Sequence, residues 1–154
     1  MNLSKGEERK IKARVRLIII KNEKLLVSYT SKENFYFYIG GKIEFGETIE
    51  EACEREIIEE CGKDVIFSFN KVLYIRDYIK KDEHNIEFYI LGDINKFLEV
   101  DGKVDPEYPE SHTQTWVDMG NLPENLLPKS LTKILLEDYK KDFPRQGIYL
   151  GKIN

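Results

Sequence analysis

Hydrophobic and polar positions alternate over the first forty residues in a pattern that predicts strands. Residues 13–20 (ARVRLIII) and 24–30 (KLLVSYT) are rich in β-favouring side chains, and a polar turn at residues 21–23 separates them. This spacing predicts an antiparallel hairpin. A third short run, residues 35–39, predicts another strand that leads directly into two glycines.

The second half of the chain predicts further strands and one more helix. Residues 65–79 and 86–91 again have a β pattern, and the polar stretch between them indicates a second hairpin. Residues 114–118 predict a strand, residues 131–139 have helical spacing, and residues 147–152 predict a terminal strand. Strands and helices in this order predict a mixed α/β architecture with one core, in a single domain over residues 1–154.

The segment between the two halves predicts a helix from Thr48 to Cys61. The helix opens with Thr48-x-x-Glu51, a capping-box pattern, and Gly62 closes it. With Ile49 placed at zero on a helical wheel, Glu56 and Glu60 fall at about 340° and 20°. Both angles lie within one apolar arc of the wheel, which is formed by Ile49, Ala52, Cys53 and Ile57.

Two carboxylates inside an apolar arc do not fit a solvated acidic face, which would place them opposite the arc. Glu56 and Glu60 are also a like-charge pair one turn apart, which weakens a free helix. Burying unpaired carboxylates is costly, and clustered carboxylate oxygens suit hard divalent cations such as magnesium. The pattern therefore predicts a metal site at this face. Glu59 lies at the border of the arc, and Ile58 on the opposite face suggests that the helix is covered on two sides.

Two glycines precede the helix and end the third predicted strand. Gly40 and Gly41 are either loop punctuation or positions where backbone groups approach a metal or a substrate phosphate closely. The sequence leaves both interpretations open.

Composition and charge narrow the class of protein. The formal net charge of −4 argues against a nucleic-acid polymer as partner, and basic residues in the first strand (Lys10, Lys12, Arg14 and Arg16) are interpreted as a solvated face. No run of about 18 apolar residues exists, so no membrane association is expected and a cytoplasmic location is predicted. The two cysteines lie roughly 12 Å apart along one helix, too far for a disulfide, and are expected in the core.

Residues 40–62 resemble the Nudix signature, G-x5-E-x7-R-E-U-x-E-E-x-G-U, where U is a bulky aliphatic residue. The positions that match are Gly41, Glu47, Arg55, Glu56, Ile57, Glu59, Glu60 and Gly62. Lys63 departs from the last aliphatic position, and Ile39 stands where many members have proline. The resemblance implies a Nudix-type α/β/α sandwich with a mixed β-sheet.

The resemblance also implies an activity and roles for individual residues. Nudix hydrolases split a nucleoside diphosphate linked to another group (NDP-X) into NMP and P-X. Glu56, Glu59 and Glu60, with the carbonyl of Gly40 or Gly41, would bind Mg²⁺, for which Mn²⁺ could substitute. Arg55 would hold Glu47 or a metal-binding glutamate in place. The catalytic base would be Glu56 or a glutamate from a later loop, with Glu107 and Glu110 as candidates.

Substrate-binding residues are less clearly indicated. Tyr78 resembles a tyrosine of diadenosine polyphosphate hydrolases, and Asp118 either binds a base edge or serves a strand end. Aromatic side chains that would either stack on a base or pack in the core are Phe35, Tyr36, Tyr74 and Trp116. Motifs of coenzyme A and NADH pyrophosphatases are not visible. A homodimer is compatible with the resemblance, and a nucleotide-binding sensor without turnover is the alternative function.

Overall fold

The computed structural model describes residues 9–154 as a curled mixed sheet with a helix on each face. Residues 1–8 of the predicted domain lie outside this part of the chain. The helices are α1 (Ile49–Cys61) and α2 (Lys129–Lys140), and single 3-10 turns cover Leu98–Val100 and Met119–Asn121. The strands are β1 (Ile11–Lys21), β2 (Lys24–Thr30), β3 (Phe35–Phe37), β4 (Gly40–Lys42), β5 (Phe67–Lys80), β6 (Glu83–Ile94), β7 (His112–Asp118), β8 (Leu126–Leu127) and β9 (Ile148–Gly151).

Both predicted hairpins and both predicted helices are confirmed. β1 and β2 pair antiparallel, and Asn22 and Glu23 in their turn have φ of 52° and 63°. Two successive positive φ angles match the twist of a two-residue hairpin turn. β5 and β6 form the second antiparallel hairpin. The N-terminus of α1 has the predicted capping box, in which the Thr48 side chain accepts from the Glu51 N–H.

Strand β1 organises the sheet because it pairs with three other strands. It runs parallel to β6 along most of its length, and its last two residues pair with β2. Its first half also pairs antiparallel with β4, where Arg16 lies opposite Gly40 and Val15 opposite Gly41. This pairing fixes the double glycine of β4 next to the strand that carries both halves of the core.

The alternation of side chains along β1 separates two cores. Val15, Leu17 and Ile19 pack into the cluster beneath α1. Ile18 points to the other face and packs with Leu131 and Leu135 of α2. A strand buried on both faces reads as a continuous apolar run, as residues 17–20 do. The layers confirm the predicted α/β/α sandwich with a mixed sheet.

One packing expectation is wrong and one is confirmed. Ile58 is 44% exposed, so α1 is covered on one face only. The sheet curls under α1 but nothing within residues 9–154 lies over its outer face at this position. Cys53 and Cys61 are free and buried, as expected, and burial raises the pKa of both thiols to about 12. Across residues 9–154 no helix has the length and apolar character needed to cross a membrane.

The close approach of β1 and β4 predicts a severe effect of Gly40→Ala. Gly40 has φ of +150°, and a Cβ there would lie 2.0 Å from the Val15 carbonyl oxygen. We expect the substitution to lower the free energy of unfolding by more than about 2 kcal/mol in urea denaturation. Gly120→Ala is the control, since a Cβ at Gly120 would meet no atom within 4 Å. Equal stability of both variants would contradict the described pairing of β1 with β4.

Candidate active site

The inner face of α1 carries two buried carboxylates against β4. Glu56 and Glu60 are 7% and 8% exposed. Glu60 accepts a hydrogen bond from the Gly40 N–H, and a Cβ on Gly41 would lie 2.4 Å from Glu56 Oε1. Gly41 therefore leaves the space that Glu56 occupies, whereas Gly40 allows the close approach of β4 to β1. Glu60 Oε2 is buried and has no hydrogen-bond partner among residues 9–154.

Arg55 ties the loop before α1 to the helix. Its guanidinium forms a two-pronged contact with Glu47, from Nε to Oε2 at 2.6 Å and from Nη2 to Oε1 at 2.9 Å. It also donates to the Lys42 carbonyl and to Glu56 Oε1, both at 2.9 Å. The hydrogen bonds from Arg55 lower the pKa of Glu47. Arg55 thus orients Glu56, the carboxylate beside Gly41, and holds the loop against it.

Glu59 is placed differently from its two neighbours. Its side chain is 54% exposed, and its Oε2 lies 3.4 Å from Arg55 Nη1. Within residues 9–154 no three His, Cys, Asp or Glu side chains are already grouped as a metal site. The structure therefore brings Glu56 and Glu60 together, and Glu59 joins them only if its side chain rotates away from Arg55.

Burial and like charge perturb the two inner glutamates. Burial raises the pKa of Glu60 well above its ordinary value, and the charges of Glu56 and Asp105 raise it further. Burial also raises the pKa of Glu56. The charge of Arg16 opposes both shifts. Such a pair of buried, mutually repelling carboxylates is typical of a functional site.

The loop between β6 and β7 contributes a carboxylate that the sequence did not indicate. Asp105 is 8% exposed and close enough to Glu60 to raise its pKa, and its Oδ2 lies 3.9 Å from His112 Nδ1. Glu107 and Glu110, the base candidates from the sequence, are exposed in the same loop. No local pattern marks Asp105, because its approach to α1 depends on how a long loop folds back.

A cleft of about 910 Å³ opens on the α2 side of the sheet, and none of the signature glutamates is among the residues that line it. Phe35, Tyr78 and His112 line it, and Tyr38 and Arg16 form the part nearest the double glycine. Arg16 donates to the Tyr38 carbonyl at 3.2 Å. Arg16 therefore stands between the cleft and the buried glutamates.

The interpretation of the first basic strand as a solvated face is wrong for two of its members. Arg14 and Arg16 line the cleft, because they share the α2-side face of β1 with Ile18. Arg16 Nε donates to Glu87 Oε2 at 2.9 Å, and Arg76 Nη1 donates to Glu87 Oε1 at 2.7 Å. The sequence did contain a signal for this cluster, because β1, β5 and β6 each carry a charged residue among apolar ones. Buried charges are normally paired, so these residues could have been expected to meet.

The remaining substrate candidates lie outside the residues that line the cleft. Trp116 stacks on Phe97, and its indole N–H donates to the Phe97 carbonyl at 2.8 Å. Asp118 pairs with Lys24 at the surface at 2.7 Å. Tyr74 is buried and donates to Asp138 at 2.6 Å, and Tyr36 packs on Tyr29. Phe35, Tyr78 and the neighbourhood of Gly40 are the candidates that the structure brings together.

The fold and the site together define a sandwich whose capped helix presents buried carboxylates to a double-glycine strand. The chain belongs to the NUDIX family, whose domain model matches residues 11–137. It is 26% identical over 107 residues to the NAD-capped RNA hydrolase NudC of Photobacterium profundum, covering 70% of this chain and 37% of that protein. The chain spans between 37% and 60% of the length of the three curated relatives that it matches.

Solved structures share the fold. The crystal structure of a UDP-X diphosphatase has a TM-score of 0.68 at 19% identity, over 95% of this chain and 70% of the other. A MutT NUDIX hydrolase from Burkholderia pseudomallei has a TM-score of 0.62 at 22% identity, over 83% of this chain and 97% of the other. The names of these relatives point to different substrates, so the similarity indicates the fold and leaves the substrate open.

The raised pKa of Glu60 predicts how the metal-free protein responds to pH. A folded-state pKa above the unfolded value of about 4.3 means that the folded state holds the proton more tightly, so stability falls as pH rises through the folded pKa. Glu60→Gln removes this loss. In EDTA at pH 8 we expect the variant to be more stable than the wild type by at least about 1 kcal/mol in urea denaturation.

The difference should vanish near pH 4, where Glu60 is protonated in both states. Glu54→Gln is the matched control, because Glu54 lies on the exposed face of the same helix. A stability difference that stays constant from pH 4 to pH 8 would contradict the assignment of the effect to the Glu60 carboxylate.

Proposed function

We propose that this chain is a Mg²⁺-dependent pyrophosphohydrolase that converts NDP-X and water into NMP and P-X. The observation that carries the proposal is the buried Glu60 Oε2, which lacks a partner within residues 9–154 and lies on the face shared with Glu56. A buried, unpaired carboxylate oxygen is costly, and a cation at this place removes the cost.

The residues at this face fit a hard divalent cation. Glu56, Glu59 and Glu60 supply carboxylate oxygens, and the backbone at Gly41 is free of a side chain that would displace Glu56. All these donors are oxygens, the ligand type that Mg²⁺ and Mn²⁺ accept. When bound, the metal supplies Lewis-acid stabilisation of the phosphate oxygens and a more acidic water.

The protein's own side chains divide the remaining work. Arg55 holds Glu47 and Glu56 in fixed positions, so that Glu56 stays aimed at the space beside Gly41. Glu56 takes the proton of the attacking water as the new P–O bond forms, and the bridging P–O bond breaks with its oxygen leaving on the second phosphate. Glu110 or Glu107 would replace Glu56 in this role only if their exposed loop closed over the substrate.

The cleft accepts the groups on either side of the diphosphate. Arg16 lines the cleft, and its charge acts on the glutamates. Its guanidinium is therefore placed to contact a substrate that extends from the metal site into the cleft. Phe35 and Tyr78 offer aromatic surfaces to a nucleobase. The downstream motif typical of NADH pyrophosphatases is not visible in the sequence, so the sequence does not favour an NAD-type substrate. We propose a cytoplasmic location, with which a chain that has two cysteines and no disulfide framework is compatible.

A nucleotide-binding sensor without turnover is the second candidate. The exposed position of Glu59 favours the sensor. With only Glu56 and Glu60 as carboxylate ligands, a metal could still bind the nucleotide phosphates but would lack the third carboxylate that turnover requires. All signature carboxylates are nevertheless present, which favours turnover.

Substitution of the inner carboxylates distinguishes these functions. We expect Glu60→Gln and Glu59→Gln each to lower kcat at least about 100-fold in an assay of phosphate or pyrophosphate release with Mg²⁺ and a panel of nucleotides. The physical reason is loss of a carboxylate ligand with the shape of the side chain kept. Glu54→Gln, on the exposed face of α1, should retain wild-type turnover.

Thermal unfolding with and without Mg²⁺ provides a measurement that does not depend on turnover. Mg²⁺ should raise the Tm of the wild type and of Glu54→Gln, but not that of Glu60→Gln. Full activity of Glu60→Gln and Glu59→Gln would contradict the ligand assignment. Magnesium-dependent stabilisation of the wild type without hydrolysis of any nucleotide would favour the sensor.

A further inference from the structure

The cleft has a charge opposite to that of the whole chain. Three acidic residues line it, against six basic residues, in a protein of net charge −4. The six are Arg14, Arg16, Arg76, Lys80, Lys129 and Lys133. An excess of positive charge concentrated in a concave surface attracts an anionic ligand.

The floor of the cleft contains two guanidinium groups that share one buried carboxylate. Glu87 is 4% exposed and accepts from both Arg16 and Arg76, so one carboxylate serves two guanidinium groups. This group of three carries a net charge of +1. Of its neighbours, Tyr89 donates its hydroxyl to Glu87 and adds no negative charge. Arg16 also faces Glu56 and Glu60, so a cation bound by these two carboxylates would leave the excess positive charge of the cluster to an anionic substrate.

Two hydrogen-bond donors next to this floor also lack acceptors. Thr30 is 1% exposed, and its Oγ1 has no partner within residues 9–154. Arg14 Nε is buried without an acceptor in the same part of the chain. Both residues line the cleft. Buried donors without acceptors indicate a ligand rich in acceptor oxygens.

The first two turns of α2 form the outer side of the same cleft. Lys129 and Lys133 lie one turn apart there, and neither has a carboxylate within 4 Å among residues 9–154. Pro128, the N-cap, provides no side-chain cap to the helix. The Ser130 N–H in the first turn instead donates to the Asn154 oxygen at 2.7 Å. The two exposed lysines, rather than free helix N–H groups, therefore offer positive charge to a phosphate at this place.

We propose that the preferred substrate carries a phosphoryl group beyond its diphosphate, and that Lys129 and Lys133 bind this group. The inference rests on the proposed function, because the diphosphate is held at the α1 site. A cleft of about 910 Å³ has room for a nucleoside diphosphate linked to a phosphorylated group. The buried floor at Arg16 holds the substrate near the glutamates, and the lysines select what lies further out.

The test compares ADP-ribose with ADP-ribose phosphorylated on its terminal ribose, since the two differ by one phosphate monoester. We expect the wild type to have a kcat/KM at least about tenfold higher for the phosphorylated compound. Lys129→Ala/Lys133→Ala should reduce this ratio to near one. Lys140→Ala/Lys141→Ala removes the same charge from the opposite end of α2 and should keep the wild-type ratio.

A second measurement separates binding from turnover. With Ca²⁺ in place of Mg²⁺, isothermal titration of both compounds should show the same preference in Kd and the same loss in Lys129→Ala/Lys133→Ala. Thermal unfolding of all variants checks that they are folded.

Each other outcome has a defined meaning. Hydrolysis of both compounds at equal kcat/KM would overturn the inference and leave the proposed function standing. A wild-type preference that survives in Lys129→Ala/Lys133→Ala would overturn the assignment of these lysines. Absence of hydrolysis of every nucleotide in the panel, with Mg²⁺ present, would instead contradict the proposed function.

Discussion

The structure of the site depends on the burial of two carboxylates against a strand that begins with two glycines. Glu56 and Glu60 lie on the inner face of α1, where an ordinary helix would carry apolar residues. Glu56 fits there because Gly41 has no Cβ to occupy its space, and Gly40 lets β4 approach β1 closely. Without a cation, the two carboxylates repel each other and are poorly solvated. The fold thus maintains a local instability at the point where the proposed chemistry takes place, as functional sites commonly do.

The sequence predicted this part of the molecule well because local rules determine it. A periodicity of 3.6 residues places Glu56 and Glu60 within the apolar arc, and the capping box marks where α1 begins. The outward orientation of Glu59 was not predictable, since it depends on the contact with Arg55. A helical wheel describes directions from the axis, whereas the choice of rotamer depends on neighbouring side chains.

The cleft was predicted less well because it depends on long-range packing. Arg16 and Glu87 are 71 residues apart, and only the pairing of β1 with β6 brings them together. Trp116 and Asp118 are substrate candidates in the sequence, but β7 places them outside the residues that line the cleft. Asp105 approaches Glu60 through the fold of a long loop. A pattern within one sequence reveals that a strand contains a charged residue, but it does not reveal which residue of another strand pairs with that charge.

The basic residues of the cleft fall into two groups, those on α2 and those on β1, and substitution would affect the two groups differently. Lys129 and Lys133 at the start of α2 are exposed and form no ion pair with residues 9–154, so exchanging them would change which molecules bind and would leave the α1 face unchanged. Arg16 has no such freedom, because it pairs with Glu87, supports the Tyr38 carbonyl and faces both inner glutamates. Substitutions in α2 are therefore expected to change substrate selectivity, whereas substitution of Arg16 in β1 would disturb the site itself.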